Sequence, residues 1–106
     1  MAIELAPSAE LHEMKSQALM ETGEIYPAIV SAQKAVDMNP NWAEGYQTLG
    51  RAQVNLGELE LAIESFTKSL QLKPDFEEVA NEDLPWCKEL LQKKISNRID
   101  SRPVVG

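Results

Sequence analysis

AEGYQTLGRAQVNLGELELAIESFTKSLQLKPDF, residues 43–76, decides the fold. Tyr46, Leu49, Gln53 and Leu56 recur at helical spacing, so 43–56 reads as a helix. Gly57-Glu58 stops it, as glycine does just past a helix end. Leu59, Ala62, Ile63, Phe66 and Leu70 form a second apolar stripe, so 59–72 reads as another helix. Pro74 ends that one, because proline cannot continue a hydrogen-bonded turn. Gly50 and Ala62 are small residues on facing helices, which lets the pair approach closely, with Phe66 filling the space beside them.

The same period of 34 residues runs upstream. Setting 9–42 against 43–76 gives ten identities: Ala9/Ala43, Glu10/Glu44, Ala18/Ala52, Gly23/Gly57, Glu24/Glu58, Ala28/Ala62, Ile29/Ile63, Ser31/Ser65, Lys34/Lys68 and Pro40/Pro74. Ordinary composition gives roughly two by chance. Residues 9–22 therefore read as a helix stopped by Gly23, and 25–38 as its partner stopped by Asn39-Pro40. Pro27 falls in the first turn of that partner, where its missing N–H costs little. Units of this kind bury their apolar faces only by stacking on one another. The expected fold class is all-α, a helix-turn-helix solenoid of two repeats plus a C-terminal capping helix.

Beyond Pro74 the period fails. Val79, Leu84, Trp86, Cys87, Leu90, Leu91 and Ile95 nevertheless outline an amphipathic helix, the terminal cover that a solenoid needs for its last apolar face. Asp83 followed by Pro85 fits a helix start, so the cap is either continuous from about Glu77 or broken near Asp83. Ahead of the repeats, Ile3-Glu4-Leu5-Ala6-Pro7 matches Leu70-Gln71-Leu72-Lys73-Pro74, the end of a repeat, displaced by one residue. The expected organisation is a lead-in remnant of an earlier repeat over 1–8, repeats over 9–42 and 43–76, a cap over 77–95, and a flexible tail over 96–106.

Tyr46-x2-Leu49-Gly50-x2-Gln53, Ala62-x3-Phe66 and Pro74 resemble the marker pattern of the tetratricopeptide repeat family. The second copy departs from it at Gln53, and Ser69 stands in place of a final alanine. The first copy fits at Ser16, Ala28, Ala35 and Pro40, but carries His12, Lys15, Leu19 and Ala32 at the remaining markers. A narrower likeness, to one branch of the family with a further repeat upstream, rests on Glu13-Met14-Lys15-Ser16-Gln17, on Gln47 to Gln53, and on Glu82-Asp83-Leu84 with Trp86. The resemblance implies a protein-interaction module without a defined activity. It also implies that the first repeat is lacking here.

Charge and composition restrict the function further. The 106 residues hold 17 acidic and 10 basic groups, a formal net charge of -7. Phosphate contacts need clustered Lys and Arg, so this balance disfavours nucleic acid. No apolar run is long enough to span a membrane, and MAIELAPSAE lacks the basic start of a signal peptide. The expected setting is intracellular, in cytoplasm or nucleus. The acidity belongs to the repeats: residues 1–87 carry 5 basic and 15 acidic groups, residues 88–106 carry 5 and 2.

Catalysis would require a nucleophile, a base and an orienting group. His12, the single histidine, sits in a packing slot. Cys87 lies on the cap's apolar stripe and reads as a small core residue, and one cysteine cannot make a disulfide or a Cys-based zinc site. Trp42 and Trp86 are expected to pack at the repeat junction and on the cap stripe. Glu77-Glu78 and Glu82-Asp83 read as a solvated face. No phosphate-binding glycine loop is present. The expectation is no enzyme, no cofactor and no metal.

Binding remains. Stacked helix pairs form a curved surface, and the family pattern implies that its concave side is lined by the first helix of each pair. The residues at those positions are Glu10, Glu13, Gln17, Met20 and Glu21, then Glu44, Gln47, Arg51, Val54 and Asn55, with Asn81 and Lys88 as the cap's candidate additions. Of these, Glu13, Gln17, Met20, Glu44, Gln47, Arg51 and Asn55 are the candidate peptide-binding set. One branch of the family clamps the C-terminal carboxylate of a heat-shock chaperone, at places that here hold Glu13, Gln17 and Thr48. Glu13 would repel an acidic tail, which disfavours that co-chaperone role. The expected ligand is a neutral to basic protein segment with a small apolar anchor. The alternative is a structural role, self-association through an N-terminal solenoid face left uncovered, with Leu11 and Leu19 as candidates for exposure and a homo-oligomer as the outcome.

Overall fold

The computed structural model describes residues 8–100, with side chains to Arg98. The expectations for 1–7 and for 101–106 lie outside the described residues. Among the described residues, five α-helices follow one another: α1 (Ala9–Glu21), α2 (Ile25–Met38), α3 (Ala43–Leu56), α4 (Leu59–Leu72) and α5 (Leu84–Asp100). A π-helical turn, Val79–Asp83, leads without a break into α5. Helices α1 and α2 pack as one pair and α3 and α4 as the next; α2 packs on α3, and α5 covers α4. All four repeat helices lie within a residue of the sequence reading. The stretch 96–100, expected as tail, is the last part of α5.

The two pairs end their first helices in the same way. Gly23 and Gly57 take φ of 82° and 88°, left-handed backbone that side chains beyond glycine rarely adopt. Each lets the following N–H reach back over the turn: Glu24 to the Leu19 carbonyl at 2.8 Å, Glu58 to the Gln53 carbonyl at 2.9 Å. At the other end of α1, the Ser8 hydroxyl accepts from the Leu11 N–H at 3.2 Å.

Inside each pair the contact is built from complementary volumes. A Cβ at Gly50 would lie 2.5 Å from Cε1 of Phe66, so the ring occupies the space a side chain would need. In the first pair the equivalent residues are Ser16 and Ala32, a larger residue facing a smaller one, both buried. The Ser16 hydroxyl donates to the Ala28 carbonyl at 2.7 Å, and the Ser69 hydroxyl to the Ala43 carbonyl at 2.8 Å. Ser69 therefore tethers α4 to the start of α3. Gln53, the departure from the marker pattern, is buried and accepts from Ser65 at 2.6 Å, so a polar pair replaces an aromatic.

Two apolar clusters result. Ala32, Val36 and Leu49, with Ile29 and Tyr46 beside them, join the repeats. Val54, Leu59, Ala62, Phe66, Val79 and Cys87 join the second repeat to the cap, flanked by Leu70, Phe76, Leu84, Leu90 and Leu91. Cys87 is fully buried and its Sγ lies 3.5 Å from the Leu59 carbonyl. Burial pushes its thiol pKa up, and the charge of Glu60 adds in the same sense.

The cap corrects two readings. Trp86 is 48% exposed rather than packed on the stripe. It stands one residue, about 100° of helix, before Cys87, so it faces away from the side formed by Leu84, Cys87 and Leu91. Ile95 is also exposed. Cys87 is level with Leu59, the first residue of α4, and Ile95, two turns further on, has run past the helix that α5 covers. Trp42 does pack, half-buried against the first turn of α3 at Gly45.

Candidate functional site

The first helices of the two pairs, α1 and α3, lie side by side, and the π turn continues the row. Along this row run most of the candidate binding residues, and several of them bond across it. Thr48 donates to Glu13 at 2.7 Å, and Gln17 donates to the same Glu13 carboxylate. Asn55 donates to the Met20 sulfur at 3.4 Å. Glu44 pairs with Lys73 at 3.3 Å, and Lys73 also lies 4.7 Å from the centre of the Phe76 ring.

The densest contact joins α3 to the cap. Arg51 Nε donates to Asp83 Oδ1 at 3.0 Å and its Nη2 to Oδ2 at 3.2 Å, a two-point fork. The same Nη2 donates to Glu78 at 2.6 Å. Gln47 Nε2 donates to Asp83 Oδ2 at 3.0 Å and also to Glu78. Partial burial pulls the Arg51 pKa down, but the hydrogen bond and charge of Asp83, then those of Glu78, outweigh it and hold the guanidinium above its ordinary value.

Glu78 immediately precedes the π turn and Asp83 closes it, and the turn is what aligns them. Five residues of α-helix rotate a side chain by about 140° from its starting direction, so Glu78 and Asp83 would diverge. Here the Leu84 N–H bonds the Val79 carbonyl five residues back, and the wider turn returns Asp83 to the side of Glu78. Pro85, with no N–H to offer, follows directly.

Three readings change. Asp83 does not face solvent: its side chain is 9% exposed, inside the continuous helix from Glu77, one of the two forms expected for the cap. Gln47 is buried under the cap, 8% exposed, so it supports Asp83 rather than lining an open surface. Val54, read as a groove residue, belongs to the core between α3 and the cap. Glu78 and Asp83 were missed as partners of Arg51. The available signal was their five-residue spacing just ahead of a proline. Among the described residues, no group of His, Cys, Asp and Glu could hold a metal ion. None of the described helices is long and apolar enough to cross a membrane.

Two clefts lie elsewhere, at the seams between the helices of each pair. The second pair has one of about 260 Å³, lined by Tyr46, Leu49, Gln53, Leu61 and Lys68 and flanked by Gln33 of α2. The first pair has one of about 450 Å³ at the equivalent place, 34 residues earlier, lined by Lys15, Leu19, Tyr26, Pro27, Val30 and Lys34. Leu11, Tyr26 and Val30 are exposed, and Leu19 is half-buried in the cleft.

The model of the tetratricopeptide repeat matches residues 9–41 and 43–76. The chain is 45% identical over 102 residues to tetratricopeptide repeat protein 33 of Xenopus laevis, covering 95% of this chain and 40% of that protein. It is 48% identical over 100 residues to the Homo sapiens protein of that name, covering 92% of this chain and 38% of that one. A solved structure described as the first TPR of Spaghetti (RPAP3) bound to the HSP90 peptide SRMEEVD superposes with a TM-score of 0.74 at 25% identity, over 80% of this chain and 67% of that one.

Proposed function

Because the chain belongs to the tetratricopeptide repeat family, whose stacked helix pairs present a concave binding surface, we propose that it is a protein-interaction module. In this reading it holds a neutral to basic partner segment along α1, α3 and the cap. One observation carries the choice of sign. The Glu13 carboxylate stands between α1 and α3 with two neutral donors, Thr48 and Gln17. These are the places where an acidic tail would need a cation and amides. The likeness to a structure holding an HSP90 peptide supports a peptide-binding surface of this shape, and Glu13 argues for a different ligand charge. The segment would set a small apolar residue against Met20. The module acts by binding, without a catalytic step or cofactor, inside the cell in the cytoplasm or nucleus. Fluorescence titration with labelled basic and acidic peptide pools tests this: the basic pool binds more tightly, and preference for the acidic pool refutes the reading.

A second reading rests on the cleft of the first pair. Its equivalent in the second pair has α2 against it, whereas Tyr26 and Val30 here are exposed. A solenoid face that the described residues leave uncovered can pair with another chain, and a second copy of this one is the simplest occupant. Light scattering across a concentration series decides: mass rises with concentration if the face self-associates, and a strict monomer removes the idea.

A further inference from the structure

Arg51 is a planar, fixed set of donors suited to a carboxylate, and Gln47 adds an amide beside it. Such a guanidinium on a binding surface would take an acidic residue from a partner. Its carboxylates are instead supplied by the chain: Asp83 grips the guanidinium at Nε and Nη2, and Glu78 shares Nη2. Gln47 binds the same two side chains. The arrangement is built rather than incidental, since it needs the π turn to bring residues five apart onto one side. Asp83 is nearly enclosed, while Arg51 and Glu78 stay 43% and 49% exposed, so one edge of the cluster meets solvent on the proposed binding face.

We propose that Glu78 and Asp83 set the charge specificity of the binding face: they occupy, from within the chain, the guanidinium donors with which the half-exposed Arg51 would otherwise hold an acidic segment. This rests on the peptide-holding reading of that face. With both carboxylates in place, Arg51 contributes no free positive charge to a ligand, and Glu13 dominates. With them neutralised, the guanidinium is available and the preferred ligand changes sign.

The test uses short fluorescein-labelled peptides, one pool rich in Asp and Glu, the other in Lys and Arg. Glu78→Gln with Asp83→Asn keeps shape and volume while removing both charges. This variant gains about tenfold in affinity for the acidic pool, the worth of one hydrogen bond to a charged group. Adding Arg51→Gln abolishes the gain, which separates a specific effect from the lower overall negative charge. A folded double variant with unchanged affinity for acidic peptides overturns the proposal, as does a gain that survives Arg51→Gln. If the double variant loses its helical circular dichroism, Glu78→Gln alone decides, because that residue is half-exposed; a gain of about threefold supports the proposal and none rejects it. A wild-type chain that binds neither pool defeats the peptide-holding reading, while the acidic gain in the variant is still read independently.

Discussion

Gly50→Leu lowers the melting temperature by several degrees at least. A Cβ alone would sit 2.5–2.8 Å from three atoms of the Phe66 ring. The ring is fully buried in the cluster with Val54, Ala62 and Val79, so it has no room to retreat. Overpacking of this kind costs about 1–3 kcal/mol, and each kcal/mol moves the midpoint by about 4–8 °C in a domain of this size. The first pair supplies the control. Gly50→Ser combined with Phe66→Ala transplants the Ser16/Ala32 solution into the second pair. Phe66→Ala alone leaves a cavity and costs about 3–5 kcal/mol. The double variant should lose less than the sum of its parts, because the added side chain enters the vacated volume. Differential scanning calorimetry reads both effects, and strict additivity would show that the two residues do not share one space.

Removal of Arg51 costs more than removal of Asp83. The pair is unequal: the Asp83 side chain is 9% exposed, Arg51 43%. Arg51→Ala strands a buried carboxylate with Gln47 as its remaining α3 donor. Asp83→Asn leaves a guanidinium that already reaches water and keeps its contact with Glu78. A charge stranded in the interior is penalised by about 3–5 kcal/mol when burial is complete, and partial exposure of the cluster brings the expectation for Arg51→Ala to about 2 kcal/mol. Asp83→Asn should cost about 1 kcal/mol or less. Urea denaturation at neutral pH orders the two, and the reverse order would mean that Arg51, not Asp83, is the desolvated partner.

The parts of this molecule legible in the sequence are those set by local chemistry. Gly23, Gly57, Pro40 and Pro74 punctuate the chain where left-handed backbone favours glycine or proline permits no further turn. The Gly50–Phe66 contact was legible too, because a 34-residue period places equivalent side chains on equivalent faces. The cluster on Arg51 was not. It joins residues 27 and 32 positions apart across two elements. It also depends on a change of helical period that an apolar stripe does not register. The burial of Gln47 and Val54 escaped for a related reason. Positions that face an open surface in a continuing array become interior once a cap folds across α3. Trp86 shows the opposite error: its apolar bulk drew it into a stripe that its angular position excludes.

The π turn has one more effect. A helix of constant pitch presents one direction, yet the cap must meet two walls, with carboxylates toward α3 and an apolar edge along α4. The wider turn acts as a phase shift between these halves. It delivers Glu78 and Asp83 to the first wall and then resets the rotation so that Leu84, Cys87 and Leu91 address the second. Loss of a single residue between Val79 and Asp83 would turn the 17 residues of α5 by about 100° and carry that edge off its support. Indels there are therefore more damaging than most substitutions, in a segment, VANED, whose one large apolar residue is Val79.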